Sequence, residues 1–341
     1  MARPGLPEPL DERLPRVDDS IRDAIGRRSR RWVMGAGAAG AVALATGSVA
    51  TWRGLPDPRD AQVAALLGQS EQATRINLPD ADAQVVGFLE QAVTLQPGNG
   101  IAWGRLAFAR SIVVEQAAPE RTAAAVAGLQ YAARRALALN PRNADALSAL
   151  AVLPPYYGDW FAADQRMKAV LAVDPGHLPT RDHRNFMYAA IGRGREGSTD
   201  RIDVAAHDPL HAGYQFRLVY SYWILGRIGE ADRAADRALQ LWPKHPGIWF
   251  SRLWTLAFTD RPERALAHVE NASARPELPP PVVDSLRLSM IALISRQRSD
   301  IDQAVAASIG LIATGPSHSV SAVMVLNALG EIDRAFAVAE A

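Results

Sequence analysis

Four prolines set the frame of this chain. Pro141, Pro175, Pro209 and Pro243 follow one another at intervals of 34 residues, and Gly158, Gly192 and Gly226 each lie 17 residues beyond a proline. Breakers that recur at one long period mark a helical unit used repeatedly. Each proline cannot continue a helix, and each glycine permits the left-handed residue that ends one. A single unit leaves an apolar seam exposed, so units must stack. The period therefore restricts the chain to an all-α solenoid more tightly than any single residue does.

The contents of the units fit this frame. One unit carries Leu147, Leu150 and Ala151, a turn at Gly158-Asp159-Trp160, and then Ala163, Met167 and Val170 before Pro175. The unit closed by Pro243 carries Leu218, Tyr222, Gly226, Ala231, Ala235, Ala238 and Leu241. An earlier one begins with Trp103, Leu106 and Ala107 and ends with Ala133, Ala136, Leu139 and Pro141. Ala163, Ala231 and Ala265 are small where two antiparallel helices must approach closely, and large apolar residues at helical spacing bury the seam between units. From about residue 59 onward the chain resembles the tetratricopeptide repeat family. The resemblance implies a right-handed superhelical solenoid of antiparallel helix pairs, with the first helix of each pair facing a concave groove.

Some units depart from the pattern. The interval from Pro97 to Pro141 is 44 residues, which predicts longer helices or a longer turn near Val114–Arg121. The unit from Gly176 to Pro209 has Arg181 and Arg184 where Trp and Leu are usual, and Gly197 where Ala is usual, so its second helix is expected to be weak. Beyond Pro276 the pattern fades through the proline-rich Glu277–Pro281 and returns at Gly330, Ala335 and Ala339. The whole array amounts to roughly seven to eight helical pairs.

The first residues differ in kind. Residues 1–31 are broken by Pro4, Pro7, Pro9 and Pro15 and are expected to be a short, largely disordered cytoplasmic segment. Arg27, Arg28, Arg30 and Arg31 precede an uncharged stretch from Trp32 to Trp52. At about 1.5 Å per residue, that stretch is long enough to cross a hydrocarbon core of about 30 Å. The arginines would hold its N-terminal side in the cytoplasm. Residues 32–52 thus read as a single-pass bacterial inner-membrane anchor, with the repeat domain, residues 53–341, in the periplasm. Two other readings stand beside it. The stretch is rich in Ala and Gly, and Ser29-Arg30-Arg31 resembles a twin-arginine export signal with small-residue cleavage sites at Ala43-Leu44-Ala45 and Ser48-Val49-Ala50. It also fits a buried Ala-rich helix of a soluble protein.

Chemistry finds little foothold. The chain has no cysteine, which excludes thiolate catalysis, disulfides and cysteine-based metal sites. The net charge of +1 gives no general argument for nucleic acid, and no basic stripe with interleaved aromatics supplies a local one. Gly192-Arg-Gly194-Arg-Glu-Gly197 is a literal GxGxxG, but a helix precedes it where a dinucleotide site needs a strand. Seven histidines are scattered. His207 and His211 are separated by Pro209, which defeats a helical metal pair, and His183 beside Asp182 has no nucleophile at recognisable spacing. Asn271-Ala-Ser273 is a formal glycosylation acceptor that falls within a helix. No cofactor, metal or catalytic residue is expected.

The resemblance directs attention to the first helices instead. Its groove positions fall on Asp145, Ser148 and Val152; on Asp182, Phe186 and Ala189; on Phe216, Tyr220 and Trp223; and on Phe250, Trp254 and Ala257. Phe186, Phe216, Tyr220, Trp223, Phe250 and Trp254 are therefore the candidate groove, with the alternative that they pack between helices. Arg217, with Arg181 and Arg184, is placed to pair with an acidic part of a ligand. The expected function is non-catalytic scaffolding of an unknown protein or peptide. A regulatory or sensory subunit of an envelope signalling system, and an exported soluble repeat protein, are the alternatives.

Overall fold

The computed structural model describes residues 57–117, 119–153, 159–315 and 318–340. Residues 1–31, the uncharged stretch 32–52 and the turn glycine Gly158 lie outside the described residues. Among those described, no helix is long and apolar enough to cross a membrane.

Sixteen helices follow one another with no strand among the described residues. They group into eight sequential pairs: α1 Pro58–Ile76 with α2 Pro79–Leu95, α3 Gly100–Gln116 with α4 Pro119–Leu139, α5 Ala144–Ala151 with α6 Trp160–Val173, and α7 Leu178–Ala190 with α8 Gly194–His207. Then come α9 Ala212–Ile224 with α10 Ile228–Leu241, α11 Pro246–Ala257 with α12 Pro262–Glu270, α13 Pro280–Ser295 with α14 Arg298–Ile312, and α15 Ser319–Leu329 with α16 Ile332–Glu340. Each helix packs on its sequence neighbour, and the core is a string of local clusters, not one centre. The long interval before Pro141 goes into longer helices, with 17 residues in α3 and 21 in α4.

The punctuation works as its chemistry requires. Gly192, Gly226 and Gly330 end first helices in the left-handed region, at φ of 81°, 76° and 84°. Ala163, Ala231 and Ala265 are wholly buried where the paired helices touch. Four first helices open on a side chain that accepts the backbone N–H three residues on. Asn99 does so for Ala102 at 3.0 Å, Asn143 for Ala146 at 2.9 Å, His177 for Thr180 at 3.3 Å and His245 for Ile248 at 3.4 Å.

Three of the seven histidines are therefore not scattered. His177, His211 and His245 recur at the proline period, each at the N-cap of a first helix, although His211 makes no side-chain cap bond. Two other expectations change. Helix α8 forms all 14 of its residues despite Gly197, because glycine lets it lie directly on α7. A Cβ at Gly197 would come within 2.9 Å of the Asn185 carbonyl oxygen. Asn271 lies outside helix α12 as its exposed C-cap.

The chain also makes contacts its local pattern does not contain. The end of α1 reaches the fifth and sixth pairs. Arg75 Nε donates to Asp208 Oδ2 at 2.9 Å, and His245 Nε2 donates to the Ile76 carbonyl at 2.9 Å. Asn77 lies against Gly213, where a Cβ would stand 2.1 Å from Asn77 Oδ1. This clasp joins residues 133 and 169 positions apart.

Candidate functional site

The first helices carry two clefts of opposite chemistry. One is an apolar groove of about 640 Å³ along α9, α11, α13 and α15. Its wall includes Tyr220, Trp223, Phe250, Trp254, Val282, Leu286, Met324 and Val325, and no Asp, Glu, Lys or Arg among the described residues lines it. One of its serines is satisfied within its own helix: Ser289 Oγ donates to the Ser285 carbonyl at 2.7 Å, one turn back.

The aromatics form a contact chain. Phe216 meets Tyr220 edge-on with centroids 6.3 Å apart, and Tyr220 meets Trp223 at 6.2 Å. Trp223 stacks on Phe258 at 6.0 Å, Phe258 on Trp254 at 5.5 Å, and Trp254 on Phe250 at 6.1 Å. Burial pushes the Tyr220 phenol well above its ordinary pKa, so it stays neutral. Trp254 is buried and forms the floor, whereas Tyr220, Trp223 and Phe250 are half-buried and form the sides.

Four of the seven candidate residues thus line one groove. Phe216 stands at its end, stacked on His245 at 6.3 Å. Phe186 is exposed and lines neither cleft. Arg217 lines the second cleft, where it pairs with Asp182 at 3.2 Å. Arg181 and Arg184 are also engaged within the chain, by Asp200 with Asp203 and by Asp164 respectively. Phe258, just past the end of α11, links Trp223 and Trp254 behind the wall and was not among the expected aromatics. It falls outside the register of first-helix positions, so spacing gave no sign of it.

The second cleft, of about 470 Å³, lies under the clasp between α1, α2, α3, α7 and α9. Its wall holds His177, His183 and His211 and many charged groups. His177 Nδ1 accepts the Thr180 N–H, so Nε2 carries the proton and donates to Asp145 Oδ1 at 3.0 Å. Phe108 meets the edges of His177 and His183, with centroids 6.4 and 5.8 Å away. Burial would lower the His183 imidazole, yet Glu115, 3.7 Å away, and Asp182 carry it above its ordinary value. Burial with Arg217 alongside pushes His211 down to about 4. His207 is exposed and points back to its own helix. No cluster suited to a metal ion occurs among the described residues.

No protein-family model and no curated protein matches this chain. Solved structures do resemble it. A tetratricopeptide repeat protein from Parabacteroides merdae is 15% identical, covering 79% of this chain and 99% of its own, with a TM-score of 0.47. A thermophilic TPR protein from Thermus thermophilus is 17% identical over 58% of this chain and 98% of its own, at 0.40. Pseudomonas aeruginosa pilF is 16% identical over 76% and 92%, at 0.41. These are distant likenesses, and the helix-pair architecture rests on this chain's own packing.

Proposed function

We propose that this chain is a non-catalytic interaction scaffold that holds an uncharged, apolar segment of a partner protein in the groove along α9, α11, α13 and α15. The observation that carries the proposal is the groove itself: half-buried aromatics on neighbouring first helices, with no Asp, Glu, Lys or Arg on the wall among the described residues. Apolar surface of this extent marks a recognition site, and buried aromatic anchors supply most of the affinity at such sites. Residues 32–52 would act as a single-pass inner-membrane anchor, with the repeats in the periplasm. Their lack of charge and the flanking arginines support that arrangement.

Site-specific photocrosslinking in intact cells tests the groove. A crosslinker at Tyr220, Trp223 or Phe250 should give one common adduct, and one at the exposed Phe161 should give none. Val282→Asp, which places a charge in the groove, should abolish the adduct while the helical signal is kept. Equal adducts at Phe161, or an adduct indifferent to Val282→Asp, would refute the groove. Sequencing the mature N-terminus tests the anchor, since a chain beginning at Thr51 identifies a cleaved export signal instead.

A further inference from the structure

The apolar groove is not uniform along its length. At the end built by α13, α14 and α15 its wall carries Ser285, Ser308, His318 and Ser321. Ser285 and Ser308 are each only 5% exposed, and neither hydroxyl makes a hydrogen bond among the described residues. Ser289, one turn on from Ser285, shows the usual outcome for a helical serine, since its hydroxyl donates to a backbone carbonyl at 2.7 Å. Nor are the two free hydroxyls sealed in. The enclosed side-chain atoms that lack partners belong to Asp182, Arg201, His211 and Trp249, and no serine is among them. His318, the N-cap of α15, makes no side-chain cap bond, so its ring is also available at this end.

Helix pairing brings the two buried serines to one level. Helices α13 and α14 run antiparallel about the turn at Arg296-Gln297, and Ser285 lies as far before that turn as Ser308 lies beyond it. Water can serve both hydroxyls while the groove is open. A segment that fills the groove expels that water, and a buried hydroxyl left without a partner is costly. A wholly apolar segment meets that cost at both serines. A segment with one hydrogen-bonding side chain at this level avoids it. A charged side chain could make the same bonds, but no Asp, Glu, Lys or Arg on the wall among the described residues offsets its desolvation.

We propose, resting on the groove assignment above, that Ser285 and Ser308 select a partner segment with one uncharged hydrogen-bonding side chain, Ser, Thr, Asn or Gln, inside its apolar run. Each serine hydroxyl both donates and accepts, so a single carboxamide or hydroxyl can satisfy the two together. Tyr220, Trp223 and Phe250 supply affinity for the apolar neighbours, and the serine pair sets the register. Discrimination of this kind is strong because the wrong segment leaves buried polar groups unpaired.

Calorimetric titration of the full chain held in amphipol tests this, with octanamide, octanoate, octylammonium and butylbenzene as probes. Octanamide and butylbenzene should bind the wild type, and the two ions should bind at least about tenfold more weakly than octanamide. Ser285→Ala with Ser308→Ala removes two hydroxyls that bond to nothing in the chain, so stability should hold or rise. That variant should bind octanamide about tenfold or more weakly and butylbenzene no less tightly. Four results would overturn the serine role while leaving the groove: butylbenzene binding without octanamide, octanamide binding unchanged in the variant, equal loss of both neutral probes, or an ion bound as tightly as octanamide. Failure of both neutral probes to bind the wild type would overturn the groove and the serine role together. The partner segment crosslinked at Tyr220 gives a second readout. Its apolar run should contain Ser, Thr, Asn or Gln, and a run with none of them, or a lipid adduct, would overturn the proposal.

Discussion

Gly197 offers a direct test of how closely the helices must pack. It lies in α8, and an added Cβ would stand 2.9 Å from the Asn185 carbonyl oxygen, 3.1 Å from Tyr188 Cβ and 3.3 Å from Asn185 Cα. Two of those three neighbours are backbone atoms of α7, which cannot swing aside as a long side chain can. Forcing a methyl into such a contact costs about 1–3 kcal/mol. Alanine regains about 1 kcal/mol over glycine in a helix interior. The net effect of Gly197→Ala is a loss of about 0–2 kcal/mol.

Gly68, in α1, is the internal control. It is exposed, and an added Cβ meets nothing within 4 Å. Gly68→Ala should stabilise by up to about 1 kcal/mol. The two substitutions are identical in chemistry and should act in opposite directions, about 1–3 kcal/mol apart. Urea denaturation followed by circular dichroism measures both. Amide exchange along residues 194–207 shows whether the loss is local, as a repeat array requires. If Gly197→Ala raises the midpoint as far as Gly68→Ala does, α7 and α8 separate freely and the close-approach argument fails.

Four further outcomes are expected. Because burial holds His211 near 4 against an ordinary 6.5, the unfolded chain takes up a proton first as pH falls. Stability should drop between about 6.5 and about 4, by on the order of 3 kcal/mol at most, and His211→Gln should flatten that slope in pH-dependent urea titrations. His183 runs the other way: its contribution is present below 6.5 and is lost as pH rises through its raised folded value, so His183→Gln should lower stability on the acid side. Trp254, the 4% exposed groove floor, should lose about 3–5 kcal/mol as alanine, whereas the 46% exposed Phe186 should change by no more than about 0.5 kcal/mol, both read by thermal denaturation. Arg75→Ala removes a half-exposed ion pair, with a stability cost of about 1 kcal/mol or less, but should speed proteolysis near Asn77 as the clasp loosens; unchanged cleavage would mean that Arg75 does not hold it.

What the sequence made legible follows from how local each cause is. Proline and glycine act within one turn, so the units between Pro141 and Pro243 could be read directly. The array blurs between Pro243 and Gly330 because the first-helix turns there do not use glycine: Asp260 and Arg296 take the left-handed region at φ of 56° and 54°. Arg296 is held there in part by its own side chain, which donates to the Ala328 carbonyl at 2.8 Å in a later pair. The histidine N-caps were legible in principle, since His177, His211 and His245 keep the period of the prolines. They occupy the position that Asn143 holds one unit earlier, and in His177 and His245 Nδ1 replaces the amide oxygen. The clasp was not legible by any local rule. It depends on the small rotation added by every pair, summed until α1 meets α9 and α11.

Helix α9 shows why Arg217 belongs with different neighbours from the aromatics beside it in sequence. Gly213, Arg217, Tyr220 and Ile224 follow one another at steps of four, three and four, so they form a single stripe along one face. At the start of the stripe Gly213 lies against Asn77 of the clasp, and Arg217 pairs with Asp182 in the polar cleft. One turn later Tyr220 and Ile224 line the apolar groove. Helical spacing fixes which residues share a face, but it carries no information about what lies opposite. The clasp supplies that difference by covering the first half of the stripe with charged groups and leaving the second half bare. Phe216, between His245 and Tyr220, marks the boundary. A partner segment apolar throughout, followed along α9 toward its start, would therefore stop at Phe216.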